Sequence, residues 1–222
     1  MQSGLSADTG PSASVRSAKF LTHHHARLWV PALAALGRDD NERKVLGPDD
    51  SSAPLLIPES GHYVKGVFRR AWEAYGGRAS LGLPLSEAFV RPSDKHVIQF
   101  FEGAVLELDP SASGDPHTVP GADKLMRVLR PVDLGAQAAA GRGLLPSDGS
   151  VAGAFRDFYG RVSGEWRLGG PISAELTEEI GGVPTRVQYF QHGRLELNPA
   201  TGQVVVGALG RLAWDAQCAA QK

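Results

Sequence analysis

Leu81-Gly82-Leu83-Pro84-Leu85-Ser86, followed by Gln99-Phe100-Phe101 and Leu106-Glu107-Leu108-Asp109-Pro110, decides the fold because the chain says it twice. The second version reads Leu168-Gly169-Gly170-Pro171-Ile172-Ser173, then Gln188-Tyr189-Phe190 and Leu195-Glu196-Leu197-Asn198-Pro199. Upstream, Phe68 and Trp72 return as Phe155 and Tyr159. Phe155 follows Phe68 by 87 residues and Gln188 follows Gln99 by 89, so only two residues are inserted across the unit. Such self-similarity implies one supersecondary unit duplicated and stacked. Units of that kind usually build binding surfaces rather than a single catalytic pocket.

Within each unit the order is helix, loop, hairpin. Val64, Phe68, Ala71, Trp72 and Tyr75 fall on one helical stripe, as do Val151, Phe155, Phe158, Tyr159 and Val162. Gly76-Gly77 closes the first helix, and Pro84 holds the next loop extended. Residues 97–109 and 186–198 have strand character broken at Glu102-Gly103 and His192-Gly193, where glycine would supply a positive φ. Pairing about the second turn sets Gln191 opposite Arg194, Phe190 opposite Leu195 and Tyr189 opposite Glu196. Gln188, Phe190, Leu195 and Leu197 then share the core face. Tyr189, Gln191, Arg194 and Glu196 share a partly wet one. Gln99, Phe101, Leu106 and Leu108 are the core-face equivalents in the first unit, against Phe100 and Glu107. The fold class expected is α+β: two tandem repeats, each an amphipathic helix packed on a β-hairpin, with short linking or capping helices.

Those short helices are read from a tetrapeptide. Ala35-Leu36-Gly37-Arg38 closes a helical stretch from Ala26 and recurs as Ala208-Leu209-Gly210-Arg211; Lys124-Leu125-Met126 with Val128-Leu129-Arg130 is a weaker version between the units. Residues 1–19 read as a disordered leader and 20–55 as a short helix and linker. The first unit with its linking helix occupies 56–135, and the second with a C-terminal helix 136–222. Residues 109–121 and 131–148 read as further linkers, the latter with a helical turn over Ala136–Ala140.

Composition narrows the function. The 222 residues carry a net charge of −1, so no basic field argues for nucleic acid. Cys218 is alone, which excludes an internal disulfide and a cysteine-based zinc site. No apolar run reaches the roughly 20 residues of a membrane helix. The polar opening lacks a signal-peptide core, which leaves two expectations: a cytoplasmic protein, or an exported one whose signal lies outside this sequence.

Gly82-Leu83-Pro84 ahead of the Phe101–Ala104 turn resembles the LGFP repeat. So does Phe190-Gln191-His192-Gly193 running into Asn198-Pro199-Ala200-Thr201-Gly202. Glu59-Ser60-Gly61-His62, Gly66-Val67-Phe68, Trp72 and Gly76-Gly77 match the opening of the same unit. The resemblance covers about residues 57–110 and 145–211. The second copy departs from it at Ser150, Tyr159 and Ser163-Gly164, which stand where the first has His62, Trp72 and Gly76-Gly77. The resemblance implies a non-catalytic module of a secreted or cell-wall-associated bacterial protein. It implies binding to cell-wall polysaccharide, peptidoglycan or another glycan, and attachment to other domains of an exported enzyme.

The candidate ligand-binding residues are His62, Tyr63, Gln99, Trp166, Gln188 and His192. Tyr63 and Trp166 lie outside the buried stripes, as does Trp29, and flat aromatics suit the apolar faces of sugar rings. Trp166 is read in a loop, Gly164-Glu165-Trp166-Arg167, ahead of the Leu-Gly-x-Pro turn. Gln99 and Gln188 sit on the apolar face, where a buried amide needs partners; a tether to the Leu-Gly-x-Pro loop competes with a ligand contact. Glu107 and Glu196 invite a glycosidase reading, but they belong to different units and read as exposed cross-strand partners of aromatics. His62 and His192 sit in turns, without a triad, and His23-His24-His25 reads as a solvated helix entrance. No nucleophile elbow, Walker loop, dinucleotide fingerprint or zincin motif is present. No catalytic residue, metal or cofactor is therefore assigned. A glycan-acting hydrolase and a ligand-free structural spacer are the alternatives to the binding module.

Overall fold

The computed structural model describes residues 53–109, 129–140 and 142–220. The expected leader, the histidine tract, Trp29, the helix ending at Arg38 and the linker at 110–121 lie outside the described residues. The protein is mixed α+β, with six helices and three small antiparallel sheets among the described residues.

The first helix, α1 (Gly66–Ala74), buries Phe68 and Ala71 as its stripe predicts, and Val67 besides, which the stripe did not include; Val64, placed on the stripe, lies in a strand ahead of the helix. The helix α4 (Gly153–Arg161) buries Phe155 and Phe158 in the same way. Each is followed by a short helix that the sequence reading took for loop: α2 (Gly77–Leu81) and α5 (Gly164–Arg167). Trp72 and Tyr159 are half-buried rather than buried, because each turns its polar tip to the next loop. The Trp72 indole N–H donates to the Gly82 carbonyl at 3.3 Å, and the Tyr159 hydroxyl donates to Gly169 at 3.1 Å. The replacement of Trp by Tyr thus keeps a donor at the same acceptor. The other six side chains expected in the core (Phe68, Phe101, Leu106, Phe155, Phe190 and Leu195) are fully buried. Each contributes about 1.5–3 kcal/mol relative to an exposed position.

Three sheets follow. A ribbon pairs β1 (Leu55–Ile57) with β2 (His62–Val64). One four-stranded sheet has the order β3 (Phe89–Val90), β4 (Val97–Phe100), β5 (Val105–Leu108), β6 (Leu129–Pro131). The other runs β7 (Leu176–Ile180), β8 (Val183–Tyr189), β9 (Arg194–Leu197), β10 (Val204–Val206). The expected hairpins are β4–β5 and β8–β9, and the flanking strands were not foreseen. Leu129 and Arg130, read as the end of a linking helix, instead pair with Leu108 and Glu107 in β6, while residues 124–126 lie outside the described residues.

The register of the second hairpin differs from expectation. Tyr189 pairs with Arg194 and Gln188 with Leu195, and the Phe190 N–H donates to the Gly193 carbonyl. The turn residues are therefore Gln191-His192, not His192-Gly193. The partner moves by two residues, so every side chain keeps its expected face. Nor do Gly103 and Gly193 supply a positive φ. A Cβ on Gly103 would stand 2.8 Å from Val206, and one on Gly193 2.9 Å from Leu168. Close approach of these methyl groups, not backbone handedness, is what a side chain there would meet.

The short helices after each sheet do not cap open ends. The helix α6 (Leu209–Ala219) begins on the turn of the first hairpin, where the Arg211 N–H donates to the Glu102 carbonyl at 2.9 Å. The helix α3 (Leu134–Ala139) begins on the turn of the second, where the Ala136 N–H donates to Gln191 at 2.9 Å. Both approaches require glycine. A Cβ on Gly210 would lie 2.1 Å from the Phe101 carbonyl oxygen, and one on Gly135 1.9 Å from that of Phe190. The boundary expected near residue 135 thus falls on a close-packed contact. α6 also changes the second face of the first sheet. Phe89, Ile98, Phe100 and Val105 form an apolar cluster there with Leu134 and Leu209, and Trp214 packs against it. That face was expected to be partly wet.

Candidate functional site

Tyr63 lies on β2 directly opposite Leu56 of β1, and both are exposed, at 44% and 43%. The ribbon beneath them is fixed from two sides. The Tyr63 N–H donates to the Glu87 carboxylate, 3.2 Å from each oxygen, and the same carboxylate lies 3.3 Å from His62 Nδ1. From the core side, the Gln99 side-chain amide donates to the Tyr63 carbonyl at 2.9 Å and to Ser86 at 3.0 Å. His62, Tyr63 and Gln99 are therefore brought together, with Glu87 as a fourth member that the sequence reading missed. Its only sequence signal is its place just after the Leu-Gly-x-Pro-Leu-Ser string.

Gln188 makes the corresponding bonds. Its amide donates to Ser150 and Ser173 carbonyls at 3.0 Å each, and its Oε1 accepts the Ala152 N–H at 2.9 Å. Ser86 and Ser173 also match, each hydroxyl accepting a backbone N–H, from Phe100 and Tyr189 respectively. Both glutamines are fully buried tethers between helix entrance, loop and hairpin. Their amide N–H groups are spent on backbone carbonyls.

Trp166 is corrected. It lies in α5, is 5% exposed, and stacks on Tyr75 with ring centroids 3.8 Å apart. No ring face is open to a sugar. The four residues that read as a loop close a helical turn and turn the indole into the core formed by α1 and the first sheet. His192 is also engaged: its Nδ1 lies 2.7 Å from Asp133, just ahead of α3.

Two charged assemblies were missed or misread. Arg167, beside Trp166, is fully buried, and its Nη2 donates to the carbonyls of Gly103 (2.7 Å) and Ser80 (3.2 Å). Its Nε and Nη1 have no partner. Burial pushes the guanidinium down to about 9, which leaves it charged at neutral pH. It pins the first hairpin turn to α2 and α5. The second assembly lies on the outer face of the second sheet. There the Tyr189 hydroxyl donates to Glu178 at 2.8 Å and accepts from Arg194 at 2.9 Å and from Arg142. Burial pushes this phenol above its ordinary value.

Glu107 and Glu196 are each held within their own sheet, rather than standing as plain partners of aromatics. Glu107 bonds Arg91 at 2.9 Å and His96 at 2.6 Å, and Glu196 bonds Arg194 at 2.6 Å. Among the described residues no three histidine, cysteine or acidic side chains converge as a metal site, and no helix is long and apolar enough to cross a membrane. Neither a family model nor a curated protein gives a significant match to the chain.

Proposed function

We propose that the chain is a pair of tandem helix-on-hairpin units acting as a non-catalytic binding module for cell-wall polymer or another glycan. On this reading it works outside the cell or in the wall, alone or beside other domains of an exported enzyme. The observation that carries the reading is Tyr63. Of the six residues nominated from the sequence, five have side chains taken up by internal contacts, and Tyr63 presents its ring beside Leu56. The ribbon beneath it is fixed by Glu87 and Gln99, so little ordering cost remains at binding. The matched tethers of Gln99 and Gln188, and the matched bonds of Trp72 and Tyr159, support the tandem-unit reading.

The test is sedimentation of the purified chain with insoluble cell-wall material and polysaccharides, followed by assay of released sugar. The chain should sediment with polymer and release none. Tyr63→Ala should lower the bound fraction at an unchanged melting temperature. Soluble sugar released by the wild type, and lost in Glu107→Gln or Glu196→Gln, overturns the reading in favour of a hydrolase. Absence of sedimentation with every polymer overturns it in favour of a spacer.

A further inference from the structure

A groove of about 370 Å³ runs between α4 and the turn that leads into β10, lined by Asp157, Phe158 and Arg161 on one side and Gln203 and Val204 on the other. Its volume lies within the range of about 300–1,000 Å³ typical of small-ligand clefts. The turn wall is rigid. Asn198 Oδ1 accepts the N–H groups of Ala200 (2.9 Å) and Thr201 (3.2 Å), and the Asn198 carbonyl accepts that of Gly202 at 2.8 Å. This is the Asn198–Gly202 string quoted above for the resemblance to the LGFP repeat.

Three polar side chains line the groove uncommitted. Those of Asp157, Arg161 and Gln203 make no hydrogen bond or ion pair among the described residues. Asp157 and Arg161 are one helical turn apart, the spacing and order at which a carboxylate and a guanidinium ordinarily pair. They do not pair here. The Arg161 guanidinium lies over the Phe158 ring, 5.7 Å from its centroid, and that ring is 7% exposed. The ring face attracts the cation and holds the donor fork in place. On α1 the residues 87 positions earlier are Val67, Arg70, Ala71 and Ala74. Val67 and Ala71 are fully buried, so the first half has no such lining.

We propose that this groove binds one ring of a neutral polyhydroxylated saccharide. The proposal rests on the binding-module reading above and gives it a second site. Sugar hydroxyls both donate and accept. Arg161 offers several N–H donors, Asp157 accepts only, and Gln203 does both. One carboxylate and one guanidinium cancel, so the lining favours an uncharged ligand over a phosphate or a polyanion.

The experiment titrates the ¹⁵N-labelled full chain with maltotriose and with N-acetylchitotriose while following amide shifts, beside the sedimentation assay with insoluble wall material. Saturable shifts at Ala154, Gly202 and Gln203, with at least tenfold weaker binding in Asp157→Asn and in Arg161→Met, are expected. Neither variant should change the melting temperature much, since neither side chain has a polar partner among the described residues. Saccharide binding that moves only Leu56 and Tyr63, and that both variants retain, overturns the groove and leaves the module reading standing. Groove binding of trisaccharide by a chain that never sediments with wall polymer supports the groove and overturns only the wall-polymer half of the module reading, leaving another glycan as the ligand. No saturable shift with either trisaccharide overturns the groove, and the sedimentation result then decides the module separately.

Discussion

The Tyr75 ring lies flat against Trp166, 3.8 Å between centroids and 9° from parallel, and so joins the end of α1 to α5. Next to it, Arg167 reaches the Ser80 carbonyl. On the repeat reading, Trp166 and Arg167 occupy the positions of Ala79 and Ser80, 87 residues earlier. The large Arg167 thus meets the small Ser80, its equivalent on the other short helix. Two large side chains meeting there would overfill the same space.

Trp166→Ala should therefore destabilise the protein by about 3–5 kcal/mol. Trp166→Phe should cost about 1 kcal/mol, because the indole N–H has no partner to lose. Urea denaturation measures both. An alanine variant that unfolds at the wild-type midpoint would return Trp166 to the list of ligand residues.

The two buried glutamines should not be equal. Gln188→Met strands the carbonyls of Ser150 and Ser173 and the Ala152 N–H. Gln99→Met strands only the carbonyls of Tyr63 and Ser86, since Gln99 Oε1 is already without a partner. The extra stranded N–H should make the Gln188 variant less stable than the Gln99 variant by about 1 kcal/mol. Equal costs from chemical denaturation would show that the amide oxygens contribute nothing.

These glutamines were legible as tethers because a buried amide on an apolar face must find backbone partners. The helical stripes and the core faces of the two hairpins were legible for the same reason: periods of 3.6 and 2 survive in Phe68, Ala71 and Tyr75, and in Gln188, Phe190 and Leu195. The second face of the first sheet was not, because α6 covers it. Strands β3, β6 and β10 were not, because two or three residues are too few to show a period. Trp166 and Arg167 were misjudged because burial of a four-residue turn is decided by what packs on it. A signal was present in the 87-residue offset, which sets Ala79 and Ser80 against them. The paired approach of Leu134-Gly135 and Leu209-Gly210 to the opposite turns was hidden too, since a glycine reads as flexibility before it reads as contact.

The Asp94 carboxylate should titrate far below the usual range. The Arg91 side chain bonds it at 2.5 Å and holds it down to about 2, from an ordinary 3.8. A carboxylate with a depressed folded value stabilises the native state above its unfolded value. Its contribution should be complete above about pH 4 and lost as pH falls through about 2. Carboxyl ¹³C shifts give the midpoint directly, and Arg91→Ala should return it towards the ordinary value. A wild-type midpoint near 3.8 would mean that Arg91 and Asp94 do not hold together in solution.

Dividing the chain should unfold it rather than release two modules. A fragment ending at residue 140 keeps Phe89, Ile98, Phe100 and Val105 but loses Leu209 and Trp214, which pack against them. It also loses Trp166 from the core of α1, and Arg167 from between Ser80 and Gly103. A fragment beginning at residue 142 loses α3 from its hairpin turn, leaving the Gln191 carbonyl without the Ala136 N–H. Each half therefore exposes apolar surface that only the other covers, at roughly 25 cal/mol per Å². Neither fragment should show a cooperative thermal transition alone. An equimolar mixture should recover one, and the fragments should co-elute from a sizing column. Cooperative melting of both isolated fragments near the temperature of the whole chain would mean that the reciprocal contacts of α3, α5 and α6 contribute little, and that the units fold as independent beads.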